Sequence, residues 1–194
     1  MDKIDLKKIA ENLIETFDIA GKESINLYSE GLKIQTKEDN SPVSNGDLKV
    51  DSIISNKIRE LTPNIPIISE ETVNLKVKNK SNIFWLIDPI DGTYDYINSL
   101  DEFTINAGLI INNKPVAGLI NAPAKKRMFY SYEKGNAFEL SKGQITNLNK
   151  TIKKKSKNLK FISYSNKIKP EIQKVYDNLG VTENIKMKSS LKFC

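Results

Sequence analysis

Apolar residues near the start of the chain recur at helical spacing. Ile9, Leu13, Phe17 and Ala20 lie three or four positions apart. This period predicts one long amphipathic helix over residues 2–28. The chain therefore begins with a helix that buries one face.

A short strand and a second helix follow in the pattern. Residues 32–36 alternate between apolar and polar side chains, which predicts a strand, whereas the polar residues 37–45 predict a loop. Ser44 or Asn45 is a suitable cap for a helix that ends near Leu61. The first sixty residues are thus predicted to be mainly helical.

Short apolar runs dominate the middle of the chain and predict strands. Two single strands come first, and two hairpins follow them. The predicted strands comprise residues 65–69, 83–87, 104–111, 116–121, 127–132 and 137–140. Helices followed by a mostly antiparallel sheet predict an α+β fold, with the N-terminal helices packed on the sheet.

The last quarter of the chain begins with a change in composition. Residues 142–160 are polar and rich in Lys, and because no aromatic residues interleave with the lysines, we interpret them as a solvated linker or loop. A strand over 161–164 and a helix over 170–179 then predict the beginning of a second, α/β unit. We divide the chain into a first domain, 1–152, and the start of a second, 153–194.

Composition restricts the chemistry. The 194 residues include no His and one Cys, which excludes His-dependent catalysis, His-ligated zinc, Cys-based zinc clusters and intrachain disulfides. The net charge is +6 with scattered lysines, but acids gather between Ser69 and Glu102, as is typical of a cation site. With no signal-peptide pattern and no apolar run near the ~20 residues of a spanning helix, we expect a cytoplasmic protein.

Two carboxylates stand three residues apart directly after the predicted strand 83–87. Between Asp88 and Asp91, Pro89 fixes one backbone angle, and Gly92 permits a tight turn just beyond. Such a turn can direct both carboxylates toward one point, which suits Mg²⁺ or a similar hard cation.

Backbone groups and a neighbouring strand add to this motif. The Ile90 carbonyl can point to the same place, and the Gly92 and Thr93 amides can hold a phosphate oxygen. Upstream, Glu70 and Glu71 follow another predicted strand, 65–69. The combination predicts a metal-dependent phosphate site.

These motifs resemble the inositol monophosphatase superfamily of Mg²⁺-dependent, lithium-sensitive phosphatases and, within it, the 3'(2'),5'-bisphosphate nucleotidases of the CysQ type. The resemblance extends over essentially the whole chain. The segments that carry it are residues 39–47, 66–71, 85–93, 101–106, 118–123 and 189–194. It implies a layered αβαβα sandwich and a role in sulfur metabolism.

The resemblance also implies a role for each motif residue. Thr93, hydrogen-bonded to Asp47, would orient and deprotonate the attacking water on the first metal. The implied metal ligands are Glu70, Asp88, the Ile90 carbonyl and Asp91, with Asp88 bridging two ions. The implied substrate-binding residues are Glu70, Ile90, Asp91, Gly92 and Thr93. The implied catalytic residues are Asp47, Thr93 and Glu70.

One departure from the family pattern concerns the second metal. Family members carry a later Trp-Asp pair whose Asp completes that site, but the single Trp here is Trp85, inside the first motif. We therefore expect the chain to be truncated within the second domain and its second metal site to lack one Asp ligand.

The implied activity is hydrolysis of 3'-phosphoadenosine 5'-phosphate to AMP and phosphate, with two or three Mg²⁺ ions. Two alternatives stay open: an inositol-1-phosphate phosphatase of the same superfamily, and an inactive metal- or phosphate-binding fragment. The expected partner is a small phosphorylated substrate and no specific nucleic acid. The resemblance also leaves open a peripheral association with the cytoplasmic face of the inner membrane and a homodimer.

Overall fold

The structure is a computed structural model that describes residues 4–37, 40–72, 81–150, 159–165 and 167–194. The lysine run at 153–155, the first residues of the predicted N-terminal helix and the predicted domain boundary lie outside these ranges. Among the described helices, none is long and apolar enough to cross a lipid bilayer.

Helices and strands follow one another in an α+β order, as the sequence predicts. The helices are α1 (Leu6–Glu30), α2 (Asn45–Leu61), α3 (Thr93–Ile97) and α4 (Pro170–Leu179). The first strands are β1 (Ile34–Thr36), β2 (Pro42–Ser44), β3 (Ile67–Ser69), β4 (Ile83–Asp91), β5 (Thr104–Ile111) and β6 (Lys114–Ala122). The later strands are β7 (Arg127–Tyr132), β8 (Ala137–Ser141), β9 (Gln144–Asn147), β10 (Leu159–Ser163) and β11 (Val181–Lys186).

Side-chain caps determine where the two long helices begin. The Lys8 amide donates to the Asp5 carboxylate at 2.9 Å, which sets the start of α1. The Ser44 hydroxyl accepts from the amides of Gly46 and Asp47 at the start of α2. Both predicted helices are confirmed, and Ser44 is the cap of the second.

A seven-stranded sheet forms the body of the molecule, with strands in sequence order from β3 to β9. β3 pairs with β4 in parallel, and the other neighbours are antiparallel. Gly108 lies opposite Gly118 in the β5–β6 hairpin. The predicted hairpins and the mostly antiparallel character are therefore confirmed.

The core lies between this sheet and the two long helices. α1 packs on β6 and β7, and α2 packs on β4. Trp85 on β4 is fully buried, and its indole N–H donates to the Thr62 hydroxyl at 3.0 Å, just past the end of α2. The other large, fully buried side chains of the core include Leu13, Phe17, Ile54, Ile58, Tyr96 and Phe103. The helices therefore cover one face of the sheet and hold β4 in place.

Two strands lie in segments that the sequence predicts as loops. β2 pairs with β1 inside the predicted loop 37–45, and β9 pairs with β8 at the start of the predicted linker 142–160. Both loop predictions are wrong at these positions. Short polar strands have no hydrophobic period, and the neighbouring strand supplies their hydrogen bonds.

The end of the chain forms a separate parallel pair. β10 and β11 are parallel neighbours, and α4 connects them. A strand–helix–strand crossover of this kind is the elementary α/β unit. The predicted strand and helix are confirmed, and the division into two domains stays a prediction.

Candidate metal and phosphate site

The parallel ends of β3 and β4 bring the first acids together. Ser69 lies opposite Ile87, so Glu70 and Asp88 follow a pair of neighbouring residues. The Glu70 amide donates to the Ile87 carbonyl at 3.0 Å, which fixes the backbone there. The two predicted ligands therefore lie at the same edge of the sheet.

A β-bulge, not a turn, separates Asp88 from Asp91. Asp88 lies opposite Asn106 and Asp91 opposite Thr104, so β4 carries one more residue than β5 over this stretch. Pro89, which has no N–H for the sheet ladder, is accommodated in the bulge. The bulge itself is not among the sequence predictions, which place a turn just beyond the two acids.

The chain turns one residue later, at Gly92. Its φ of 98° is in the left-handed region, and a Cβ there would lie 3.1 Å from the Glu102 carbonyl oxygen. Glycine is required on both counts. Gly92 is the N-cap of α3 and Thr93 its first residue. The expected phosphate contact of their amides remains a prediction.

Asp47 and Thr93 meet as the resemblance implies. The Ser44 amide and hydroxyl donate to Asp47 Oδ2 at 2.8 Å and 2.6 Å, forming a capping box. Thr93 Oγ1 lies 3.4 Å from Asp47 Oδ1 and 3.1 Å from the Ile90 carbonyl oxygen. Burial raises the pKa of Asp47 above its usual range, against the lowering effect of the Ser44 hydrogen bonds. One carboxylate oxygen thus belongs to the helix cap, and the other faces the threonine hydroxyl.

Asp88 is the least compensated acid of the site. Its Oδ1 is buried and has no hydrogen-bond partner among the described residues. Burial, together with the charges of Glu70 and Asp91, raises its pKa to about 8. A buried oxygen without a partner, next to two more carboxylates and a carbonyl, fits the all-oxygen coordination of a hard divalent cation.

A lysine that the sequence did not indicate contacts the paired glutamates. Lys37 Nζ lies 2.9 Å from Glu71 Oε1 and 3.3 Å from Glu70 Oε1. The Glu71 side chain is 4% exposed, whereas that of Glu70 is 49% exposed. Although burial lowers the pKa of Lys37, the hydrogen bond and charge of Glu71 raise it above its usual value. No local pattern around Lys37 predicts this contact.

Asp91 also has a partner that the sequence did not indicate. The Ser190 hydroxyl donates to Asp91 Oδ2 at 2.6 Å, and Asn106 Nδ2 donates to Ser190 Oγ at 3.2 Å. The only available signal was that residues 189–194 belong to a segment that carries the family resemblance. The contact itself joins residues 99 positions apart.

The acids are neighbours but do not form a preassembled metal cluster. Within the part of the chain that the structure describes, no three Asp, Glu or Cys side chains are grouped closely enough to hold an ion as they stand. Glu70 contacts Lys37, and Asp91 contacts Ser190. Metal binding would therefore require some of these side chains to rearrange.

Comparisons with known proteins identify the family of the chain. The model of the inositol monophosphatase family matches residues 5–194. A 3'(2'),5'-bisphosphate nucleotidase CysQ of Haemophilus influenzae is 35% identical over 133 residues, which cover 68% of this chain and 49% of that protein. The CysQ nucleotidase of Salmonella typhimurium is 34% identical over 178 residues, covering 90% of this chain and 71% of that protein.

A solved structure shares the fold. The crystal structure of CysQ from Bacteroides thetaiotaomicron, a bacterial member of the inositol monophosphatase family, has a TM-score of 0.74 and 25% identity, covering 99% of this chain and 77% of that one. The chain spans about half of the length of the Haemophilus relative in the matched region. Because the family model matches nearly all of its residues, the chain belongs to the inositol monophosphatase family.

Proposed function

We propose that the chain carries the active site of a Mg²⁺-dependent phosphomonoesterase that hydrolyses 3'-phosphoadenosine 5'-phosphate to AMP and phosphate. The observation that carries the proposal is the Thr93 hydroxyl, which lies between the Asp47 carboxylate and the Ile90 carbonyl. The unpartnered Asp88 oxygen at the adjacent bulge supports a cation site there. The choice of substrate rests on the similarity to CysQ nucleotidases.

The donor set supports the following assignment of the ligands. Glu70, Asp88 and the Ile90 carbonyl would hold one cation, and Asp88 and Asp91 would hold a second. Glu70 can leave Lys37 at low cost, because an ion pair with a half-exposed partner contributes about 1 kcal/mol or less. When bound, the cations supply positive charge that lowers the pKa of a water and offsets the charge on the transferring phosphoryl group.

Proton transfer would run through the chain's own side chains. Thr93 Oγ1 accepts a proton from the attacking water and passes its own proton to Asp47 Oδ1. Asp47 Oδ2 already accepts two hydrogen bonds from Ser44, so Oδ1 is the oxygen left for this proton. The raised pKa of Asp47 makes it a better proton acceptor than an exposed Asp.

The substrate's phosphate would lie where β4 ends. The Gly92 and Thr93 amides, at the start of α3, would hold its oxygens. Glu70, Ile90 and Asp91 would line the same place and contact the substrate through the cations.

The proposal is tested by measuring phosphate release from 3'-phosphoadenosine 5'-phosphate and from inositol-1-phosphate over a Mg²⁺ titration. We expect Mg²⁺-dependent release from the nucleotide and its loss in Asp91→Asn, which removes a ligand charge without changing core volume. Asp18→Asn, an exposed acid of α1 paired with Lys22, is the matched control and should retain activity. Faster phosphate release from inositol-1-phosphate would identify that compound as the preferred substrate. The absence of phosphate release from both compounds would refute the proposed phosphatase activity.

A second candidate is a metal and phosphate binder without turnover. The observation that favours it is that Lys37 and Ser190 already contact Glu70 and Asp91. This candidate predicts saturable binding of Mg²⁺ and inorganic phosphate in calorimetry, with no phosphate released from either ester. Turnover that disappears in Asp91→Asn would exclude it.

A further inference from the structure

Residues 188–190 contact the stretch of chain between Asp91 and Asp95. Ser190 contacts Asp91, and Lys188 forms an ion pair with the buried Asp95 at 2.5 Å. Two side chains of one segment thus contact Asp91, at the end of β4, and Asp95, in α3. Asp91 is therefore not positioned by its own strand alone.

The direction of the hydrogen bonds around Ser190 follows from their chemistry. An ionised Asp91 only accepts, so the single Ser190 proton goes to Asp91 Oδ2. Ser190 Oγ can then only accept from Asn106, which fixes the Asn106 amide with Nδ2 toward the serine. The relay runs from Asn106 through Ser190 to Asp91.

The oxygen of the Asn106 amide and one carboxylate oxygen of Asp88 both lack a hydrogen-bond donor in the described part of the chain. Asn106 Oδ1 is buried and has no partner among the described residues, as is Asp88 Oδ1. Asn106 and Asp88 are opposite each other in β5 and β4. Thr104, opposite Asp91, has an equally unpartnered hydroxyl oxygen. The relay therefore leaves unpartnered oxygens on Asn106 and Thr104, directly across the strands from the proposed ligands Asp88 and Asp91.

We propose that Ser190 and Asn106 are positioning residues for Asp91. The Ser190 hydroxyl holds Oδ2, so that Oδ1 is the carboxylate oxygen left for a divalent cation, and Asn106 holds Ser190 in the orientation that donates. The inference rests on the proposed function, since it concerns the ligands of that same site. Neither residue touches the substrate in this assignment.

The test is the affinity of the metal-free protein for Mn²⁺, followed through the EPR signal of the free ion, and for Mg²⁺ by calorimetry. Ser190→Ala removes the donor and should weaken binding of a divalent cation about 10-fold, the usual order for groups that orient a metal ligand. Ser190→Thr keeps a hydroxyl and should restore most of the affinity. Asn106→Leu should weaken binding in the same direction by less, and it provides a second test should Ser190→Ala fold poorly.

Ser189→Ala is the matched control, because the Ser189 hydroxyl accepts from the Leu191 amide and contacts no acid of the site. It should leave the metal affinity unchanged, whereas a merely structural role of the segment would weaken binding in both serine variants. In phosphate-release assays, Ser190→Ala should raise the Mg²⁺ concentration for half-maximal rate and keep the rate at saturating Mg²⁺.

The outcomes separate this inference from the proposed function. A wild-type protein that binds neither Mn²⁺ nor Mg²⁺ overturns both. A wild-type protein that binds them, with Ser190→Ala and Asn106→Leu binding equally well, overturns the positioning role alone. Equal weakening by Ser189→Ala and Ser190→Ala also overturns it.

Discussion

The acids that follow β3 and those in the bulge of β4 are held in opposite ways. Glu70 and Glu71 share the ammonium group of Lys37, whereas Asp91 accepts from the neutral Ser190 hydroxyl and Asp88 Oδ1 has no partner among the described residues. The part of the chain that the structure describes thus supplies a positive charge to Glu70 and Glu71 but none to Asp88 and Asp91. This difference supports the proposal that β4 carries the cation ligands that the chain's own side chains leave uncompensated.

Replacing Asp88 by Asn removes the uncompensated acid of β4 and should have the largest effect on the rate of phosphate release. The variant loses the carboxylate that would bridge two cations, so we expect phosphate release to fall by roughly 10²–10³-fold, as for other preorganised electrostatic groups. Steady-state release at saturating Mg²⁺ measures it. Asp18→Asn should stay at the wild-type rate, and an active Asp88→Asn would remove Asp88 from the metal ligands.

Replacing Lys37 by Met removes the positive charge that compensates Glu70 and Glu71. The nearly buried Glu71 then lacks its cation, and we expect the free energy of unfolding of the metal-free protein to fall by about 3 kcal/mol. Urea unfolding measures this loss, with Lys33→Met on the same hairpin as the exposed control. A larger stabilisation by Mg²⁺ in Lys37→Met than in wild type would show that a metal can replace the lysine charge. An unchanged midpoint would contradict the role of Lys37.

The same Asp88→Asn variant sharpens the comparison when no metal is present. Burial disfavours ionisation of this carboxyl, so its replacement by a neutral amide should stabilise the metal-free protein by about 2 kcal/mol. This corresponds to a rise of about 4–8 °C in the melting temperature for a chain of this size. Asp91→Asn should show no such gain, because Asp91 already accepts from Ser190. Added Mg²⁺ should stabilise wild type but not Asp88→Asn.

Glu70→Gln should have the smallest effect on folding. Its side chain is half exposed, so losing the Lys37 contact should change the free energy of unfolding by less than about 1 kcal/mol. Its affinity for Mg²⁺, measured by calorimetry, should nevertheless fall, since Glu70 is a proposed ligand. Unchanged Mg²⁺ affinity would leave Glu70 as a partner of Lys37 only.

The elements that the sequence predicted well are those with local signals. The helical period of α1, the Ser44 cap of α2 and the paired runs of β5 and β6 are all visible within a few residues. β2 and β9 were missed because a neighbouring strand, not their own pattern, makes them strands.

The site shows the same division between local and distant information. The spacing of Asp88 and Asp91 is a local signal, although the bulge between them is set by pairing with β5. Lys37 and Ser190 were missed because their contacts join residues 33 and 99 positions away. A single sequence without a known fold does not show which residues so far apart in the chain come into contact.

The capping box at the start of α2 makes one residue, Asp47, serve both the stability of the helix and the proposed chemistry. Asp47 completes that cap with one oxygen and faces Thr93 with the other, so a change at position 47 weakens the helix and the proposed proton path together. A variant that loses Asp47 but keeps the helix stable would need another way to cap α2, for example a different residue at position 44. Selection on stability alone would thus preserve the geometry of the proposed base, even in a lineage that no longer uses it.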